Sequence, residues 1–356
     1  MTGADWRSNE LTRRLGVELP LMQAPLGGGP GTPALTAAAS GAGCLGMLGA
    51  GYLDPPEVRS AARLVKEQTS RPFGVNLFLA PPAAADPAAA VRERLIRVAG
   101  ELGLPVAPPE RPRGLPDPRE QVEVLLDEQV PVVSFTFGCP VRALVQRLHR
   151  HGVTVMVTVG TVAEAREAEA AGADAVIAQG SEAGGHRGGW TGVEPAGLVA
   201  LAPAVVDAVG VPVVAAGGLM DGRGVVAALA LGARMAALGT AFLRTSEAGT
   251  NDAYRAALRS ADGTTVVTRA FSGRPARGLP NDYLVAFGPV DDVPEFPLMN
   301  YLTRPLRSAS EAAGSARAQS LWAGQGVAAG RDLPAAELVA VLVAEVEAAL
   351  ARLKRP

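Results

Sequence analysis

The chain has 356 residues, 48% of them hydrophobic and 4% aromatic, with 33 basic against 35 acidic side chains; that is a globular chain with room for one large domain or two smaller ones. Only two of the basic residues are lysines, Lys66 in a charged helical stretch and Lys354 near the end, which disfavours Schiff-base and pyridoxal chemistry. A net charge of −2 without basic runs argues against nucleic acid or an anionic membrane as the main partner, and three histidines with two cysteines in no cluster argue against a metal held by side chains.

The first residues, MTGADWRSNELTRRLGVELP, carry charge throughout, and no apolar run in the chain reaches about 18 residues. The reading is a cytoplasmic protein, and two unpaired-looking cysteines agree with a reducing compartment. From Leu19 onward, short runs rich in Val, Leu and Ala alternate with helical stretches. The runs are Leu19–Leu26, Gly43–Gly49, Pro72–Leu79, Val130–Gly138, Val153–Gly160, Ala173–Gly180, Val211–Gly218 and Arg234–Thr240. They are apolar at nearly every position, as strands buried on both faces of a parallel sheet must be.

Between them, Thr161–Ala171 opens on a Thr, carries acids early and stops at Gly172, and Asp221–Leu231 is closed by Gly232, the punctuation of capped helices. Eight strand–helix units predict an α/β fold, a (β/α)8 TIM barrel, whose core of about 250 residues leaves roughly 100 for additions. A doubly wound sheet normally has five or six strands and a glycine fingerprint after the first; Gly27, Gly28 and Gly29 followed by Pro30 lack that spacing.

The expected organisation is a first barrel part over 1–79, an insertion after strand 3 over 80–127, a second barrel part over 128–260, and a C-terminal extension over 261–356. The insertion is dense in Pro, Ala and Arg. The extension carries most late aromatics and little strand pattern; it is expected to cover the barrel mouth, with Pro334–Leu353 as a last packing helix.

In such barrels the chemistry sits at the carboxyl ends of the strands, and the loops after strands seven and eight commonly hold a phosphate. The seventh run ends in Gly217 and Gly218, the eighth in Gly239 and Thr240. Glycines let backbone N–H groups approach phosphate oxygens, and the Thr hydroxyl adds a donor; such glycines also simply turn a chain. The sixth run ends AVIAQGSEAGGHRGG, placing His186 among glycines at the mouth, exposed and near its ordinary pKa of about 6.5, suited to proton transfer.

His149 and His151 precede the fifth strand, on the opposite face, and read as structural or solvated. Gln23 and Asn76 are amides inside apolar strands; they pair either with a flavin or nucleobase edge or through an internal hydrogen bond in the core. Cys44 and Cys139 read as small buried apolar residues.

MQAPLGGG at 22–29, FGVNLF at 73–78, VSFTFGCP at 133–140, AQGSEAGGHRG at 178–188, VVAAGGLMDGRG at 213–224 and LGTAF at 238–242 together resemble the nitronate monooxygenases, the 2-nitropropane dioxygenase-like flavoproteins. SGRPARGLPN at 272–281 and LWAGQG at 321–326 extend the resemblance over nearly the whole chain.

It implies a barrel with non-covalent FMN and molecular oxygen as oxidant. By matching position it implies flavin contacts from Gln23, Ala24, Pro25, Asn76, Gln179, Gly184, Gly185, Gly217, Gly218, Leu238, Gly239, Thr240 and Ala241, with His186 catalytic and Tyr301 as a wall of the substrate pocket. The implied substrates are alkyl nitronates such as propionate 3-nitronate, with neutral nitroalkanes and a homodimer left open. Two alternatives stand: an FMN-dependent NAD(P)H reductase of quinones or enoyl-acyl-carrier-protein, and a lyase or isomerase barrel binding a phosphorylated ligand without flavin.

Overall fold

The computed structural model describes residues 5–79, 89–105 and 114–353. Lys354 and two stretches of the expected insertion, 80–88 and 106–113, lie outside the described residues. In chain order the strands are β1 Leu21–Gln23, β2 Leu45–Gly49, β3 Phe73–Phe78, β4 Val132–Thr136, β5 Thr154–Val159, β6 Ala175–Gln179, β7 Gly185–His186, β8 Val213–Ala216, β9 Met235–Leu238, β10 Val266–Thr268 and β11 Ala276–Gly278.

Eight of them close a parallel barrel in the order β1-β2-β3-β4-β5-β6-β8-β9, and each lies inside one of the eight apolar runs. The seam closes with Met22 of β1 opposite Ala237 of β9. The fold is a (β/α)8 TIM barrel.

The helices form where their caps are written. Val162–Ala171 begins at Thr161, whose hydroxyl accepts the Glu164 N–H, and ends at Gly172 in the left-handed region. Gly222–Ala230 starts from Asp221, whose carboxylate accepts the N–H groups of Arg223 and Gly224. The closing helix, Ala335–Leu353, buries Leu338, Leu342 and Val346 in the core shared with Val225 and Val226 of that helix.

Met22, Met47, Val132, Met156, Val214 and Met235 fill the barrel interior. Gly74 makes room for one of them, since a Cβ there would stand 2.3 Å from the Met47 sulfur. Leu11 and Leu15, one turn apart on the helix Glu10–Leu15, join this core and close the barrel's amino-terminal end. Asn9 caps that helix and ties it to β9, its amide donating to the Arg234 carbonyl at 2.7 Å.

The additions gather over the opposite end. Helix Ala89–Glu101 shares a core with Phe271, Tyr283, Phe287, Met299 and Leu302, so insertion and extension pack as one cap. Helix Pro118–Asp127, at the end of the same insertion, instead packs against helix Pro55–Gln68 and β3, as a barrel helix does.

The extension also departs from its expected lack of strands: β10 and β11 form there, and β11 pairs antiparallel with β7. The reason is that β7 is a two-residue strand whose partner lies some ninety residues away, a pairing no local pattern announces. Among the described residues, no helix is long and apolar enough to cross a membrane, and no three His, Cys, Asp or Glu gather as metal ligands.

Candidate active site

β7 carries His186 across the carboxyl-terminal mouth of the barrel, paired with Ala276. The imidazole lies among three aromatic rings, with centroids at 5.7 Å (Phe137), 5.6 Å (Phe296) and 5.4 Å (Trp322). This corrects the expectation of an exposed histidine of ordinary basicity. Burial, followed by the charges of Arg274 and Arg307, pulls its pKa down to about 3, so the ring is neutral at physiological pH. The flanking glycines suggested openness, but the extension supplies the cover.

Arg274 lies with its guanidinium 4.3 Å from the centre of the Phe137 ring, and its Nε donates to the Arg187 carbonyl at 2.8 Å. Burial lowers its pKa to about 10. Arg307 is enclosed: Nη2 donates to the Asn300 carbonyl at 2.7 Å and to Asn300 Oδ1 at 3.0 Å, while Nε is buried without an acceptor. Among the described residues neither guanidinium pairs with a carboxylate. Glu164 acts on Arg274 only at a distance, so two desolvated cations with no carboxylate bonded to them, beside a neutral imidazole, make a place that favours negative charge.

The three amides hold the mouth in shape. Gln179, at the end of β6, receives the Gly188 N–H at 2.7 Å and donates to the His186 carbonyl at 3.2 Å, so it staples the histidine loop from both ends of its amide. Asn76 on β3 donates to Ser134 Oγ at 2.8 Å and Thr136 Oγ1 at 2.9 Å; its Oδ1 makes no hydrogen bond within the described chain. Gln23 accepts the Met47 N–H at 3.1 Å and donates to the Ala24 carbonyl. Of the two amides read as either flavin or core partners, Gln23 is paired within the chain on both its amide atoms, while the Asn76 oxygen keeps a free acceptor among the described residues.

The glycine loops meet beside them. Gly217 and Gly218 have φ of 128° and 69°, open to glycine and strained for other residues, and a Cβ on Gly217 would stand 3.2 Å from the Gly180 carbonyl oxygen. Gly239 adjoins Ala24 and Leu26, and Pro25 between them is half-buried. Thr240 and Ala241 open a short 3-10 turn directly after β9, which ends at the buried Leu238.

The LWAGQG segment completes this wall. The Gly324 N–H donates to Thr240 Oγ1 at 2.9 Å, and a Cβ on Gly184 would stand 2.5 Å from Gly324 N. Gly185 has φ 73° and pairs with Arg277. Tyr301, half-buried, donates its hydroxyl to the Gly114 carbonyl at 3.2 Å, tying the extension to the insertion.

Sequence reasoning missed Phe137, Ser272, Phe296 and Arg307 as residues of this site. Phe137 has φ 75°, an uncommon conformation for a bulky side chain and one that clusters at functional sites. Ser272 and Arg274 lie within SGRPARG, so the motif was visible but not its arrangement; nothing local marks Phe296 or Arg307. His149 and His151 sit away from the mouth, His149 2.9 Å from Asp174 Oδ2 and His151 3.0 Å from the Arg147 carbonyl. Cys44 is buried and Cys139 half-buried, and neither is in a disulfide.

A family model described as nitronate monooxygenase matches residues 8–345. The chain is 43% identical to a nitronate monooxygenase of Pseudomonas aeruginosa, over 95% of this chain and 99% of the relative. It is 35% identical to a probable nitronate monooxygenase of Staphylococcus aureus, over 96% and 98%. Among solved structures it is similar to a nitroalkane oxidase from Streptomyces ansochromogenes, with a TM-score of 0.89 and 43% identity over 97% of this chain and 99% of that one. FabK from Thermotoga maritima is similar at a TM-score of 0.77 and 29% identity, over 98% of both chains.

Proposed function

The chain belongs to the nitronate monooxygenase family, a family of flavin-dependent oxidoreductases, and from that premise we propose that it binds FMN and oxidises alkyl nitronates with molecular oxygen to a carbonyl compound and nitrite. The observation that carries the choice of an anionic substrate is the pair of half-buried arginines, Arg274 and Arg307, that bond to no carboxylate among the described residues while lowering the basicity of His186. A nitronate brings the missing negative charge. A neutral nitroalkane does not, and must lose its proton to an imidazole that is a weak base in the free protein.

The residues present fit the flavin. Gly217, Gly218, Gly239, Thr240 and Ala241 offer backbone N–H groups where side chains would crowd a phosphate. The Asn76 Oδ1 suits a ring N–H, and Gln23, Ala24, Pro25, Gln179, Gly184, Gly185 and Leu238 form the surrounding frame. When bound, FMN supplies the electron transfer that no side chain here provides. The chain's own share is to dock the nitronate among Phe137, Phe296 and Trp322, with Tyr301 proposed as an outer wall, to exclude water, and to hold a proton on His186. A docked anion favours the imidazolium, so His186 takes up a proton as the nitronate binds, or takes it from carbon where a nitroalkane is the substrate.

One rival reading is an FMN-dependent reductase drawing on NAD(P)H. Purified protein separates the readings. The account expects a yellow protein that releases FMN on denaturation and whose flavin band persists on anaerobic mixing with NADH. Rapid bleaching by NADH favours the reductase, and a colourless protein with no releasable flavin removes both.

A further inference from the structure

We propose that Ser272 is a positioning residue that fixes His186 as the Nε2–H tautomer, making Nδ1 the atom that gains and loses the proton. The inference deepens the proposed function and rests on it for its catalytic meaning. Ser272 is buried, 1% exposed, and its Oγ lies 2.9 Å from His186 Nε2. A hydroxyl has one proton to give and two lone pairs to receive with. The same Oγ lies 3.1 Å from the Arg274 carbonyl oxygen, which can only accept and which has no other donor among the described residues.

Ser272 therefore gives its proton to Arg274 O and receives from Nε2–H, with its second lone pair towards the Arg274 N–H at 3.4 Å. The opposite tautomer fails twice. It takes the only donor from the Arg274 carbonyl, and it creates an Nδ1–H for which the described chain offers no acceptor.

The rest of the site leaves His186 little freedom to escape this arrangement. Its backbone is held by pairing with Ala276 and by Gln179, which donates to its carbonyl, and its ring lies among Phe137, Phe296 and Trp322. Nε2 is thus committed to protein, and Nδ1, bonded to nothing in the described chain, is left for the ligand. The tight turn that presents Ser272 is set by Gly273, whose φ of 80° and close approach to the Pro294 carbonyl, 2.1 Å from a built Cβ, admit no side chain. The motif residues Ser272 and Gly273 so gain a purpose: they orient a base that sits on another element.

The scarcity of histidine makes the test direct, because 15N-histidine labelling of the purified protein gives three imidazoles, and the His186 signals are those missing from His186→Asn. Long-range proton–nitrogen correlation spectra are expected to show a protonated Nε2 and a bare Nδ1 in His186. A protonated Nδ1 with a bare Nε2 overturns the assignment. In Ser272→Ala the two tautomers are expected to mix, and Ser272→Thr, which keeps the hydroxyl, is expected to restore one. An unchanged Nε2–H tautomer in Ser272→Ala overturns the role of Ser272.

In assays with a neutral nitroalkane, Ser272→Ala is expected to lower kcat by about 100-fold with KM held, the scale of a lost acid–base group, and Ser272→Thr is expected to restore it. A loss in Ser272→Ala that falls on KM with kcat unchanged, or no loss at all, overturns the positioning role. Absence of any turnover by the unmodified protein counts against the proposed function alone, since the spectra report the tautomer regardless.

Discussion

At the residue scale, His186 is the point where sequence and structure diverge most usefully. Its glycine-rich surroundings read as an exposed loop, whereas three aromatic rings and two arginines make it a half-buried, neutral imidazole. Two consequences follow for its titration. The pH dependence of kcat/KM reports the free enzyme, so no inflection from His186 is expected near 6.5; an acid limb with an apparent pKa between 6 and 7 that vanishes in His186→Asn contradicts the burial described.

For folding, the histidine's folded pKa of about 3 lies below its unfolded value of about 6.5, so between these limits the unfolded chain binds more protons. Stability contributed at this site is fully present above about 6.5 and is lost as the pH falls towards 3. Denaturant melts of the ligand-free protein over that range, compared with His186→Asn, should show the variant losing less stability on acidification.

At the scale of elements, the barrel strands were legible because burial on both faces writes a continuous apolar run. The Gly217–Gly218 turn was legible because its positive φ values demand glycine, whereas Gly239 takes an ordinary φ of −105° and marked the eighth strand's end by its place alone. The small sheet β7-β11-β10 was not legible. Its members are two or three residues long and carry His186, Arg277 and Thr268, residues that no periodicity marks as strand. The plug helix Glu10–Leu15 was hidden for another reason: only Leu11 and Leu15 face the barrel, and the charged residues around them dominate the composition.

The contact between the β7 loop and the LWAGQG segment offers a direct trial of this layer. With Gly324 N and Ala323 C only 2.5 and 2.6 Å from a Cβ at position 184, Gly184→Ala forces backbone apart from backbone. Overpacking of this kind costs about 1–3 kcal/mol. The variant is expected to fold with a lowered Tm and to carry much less flavin per chain, as read by the ratio of flavin to protein absorbance. A variant with full flavin content contradicts the placement of this segment at the cofactor wall.

For the whole molecule, the division of labour is between a barrel whose strands the sequence announces and a cap whose place it announces but whose contacts it does not. The barrel brings Gln23, Asn76, Gln179 and the glycine turns to one mouth by virtue of strand order alone. The cap is built from distant pieces: helix Ala89–Glu101 packs with the extension, Tyr301 reaches Gly114, and β11 pairs with β7. Contacts across such separations leave no periodic trace, so Phe296, Trp322 and Arg307 could be placed at the site only in three dimensions. They supply the aromatic cover and part of the positive field on which the choice of an anionic, oxidisable substrate depends. The most direct trial of that choice is an oxygen-electrode trace of the purified protein given propionate 3-nitronate with no reduced nicotinamide present. The account predicts immediate oxygen consumption with nitrite released; oxygen uptake that begins only when NADH is added, or none at all, would contradict it.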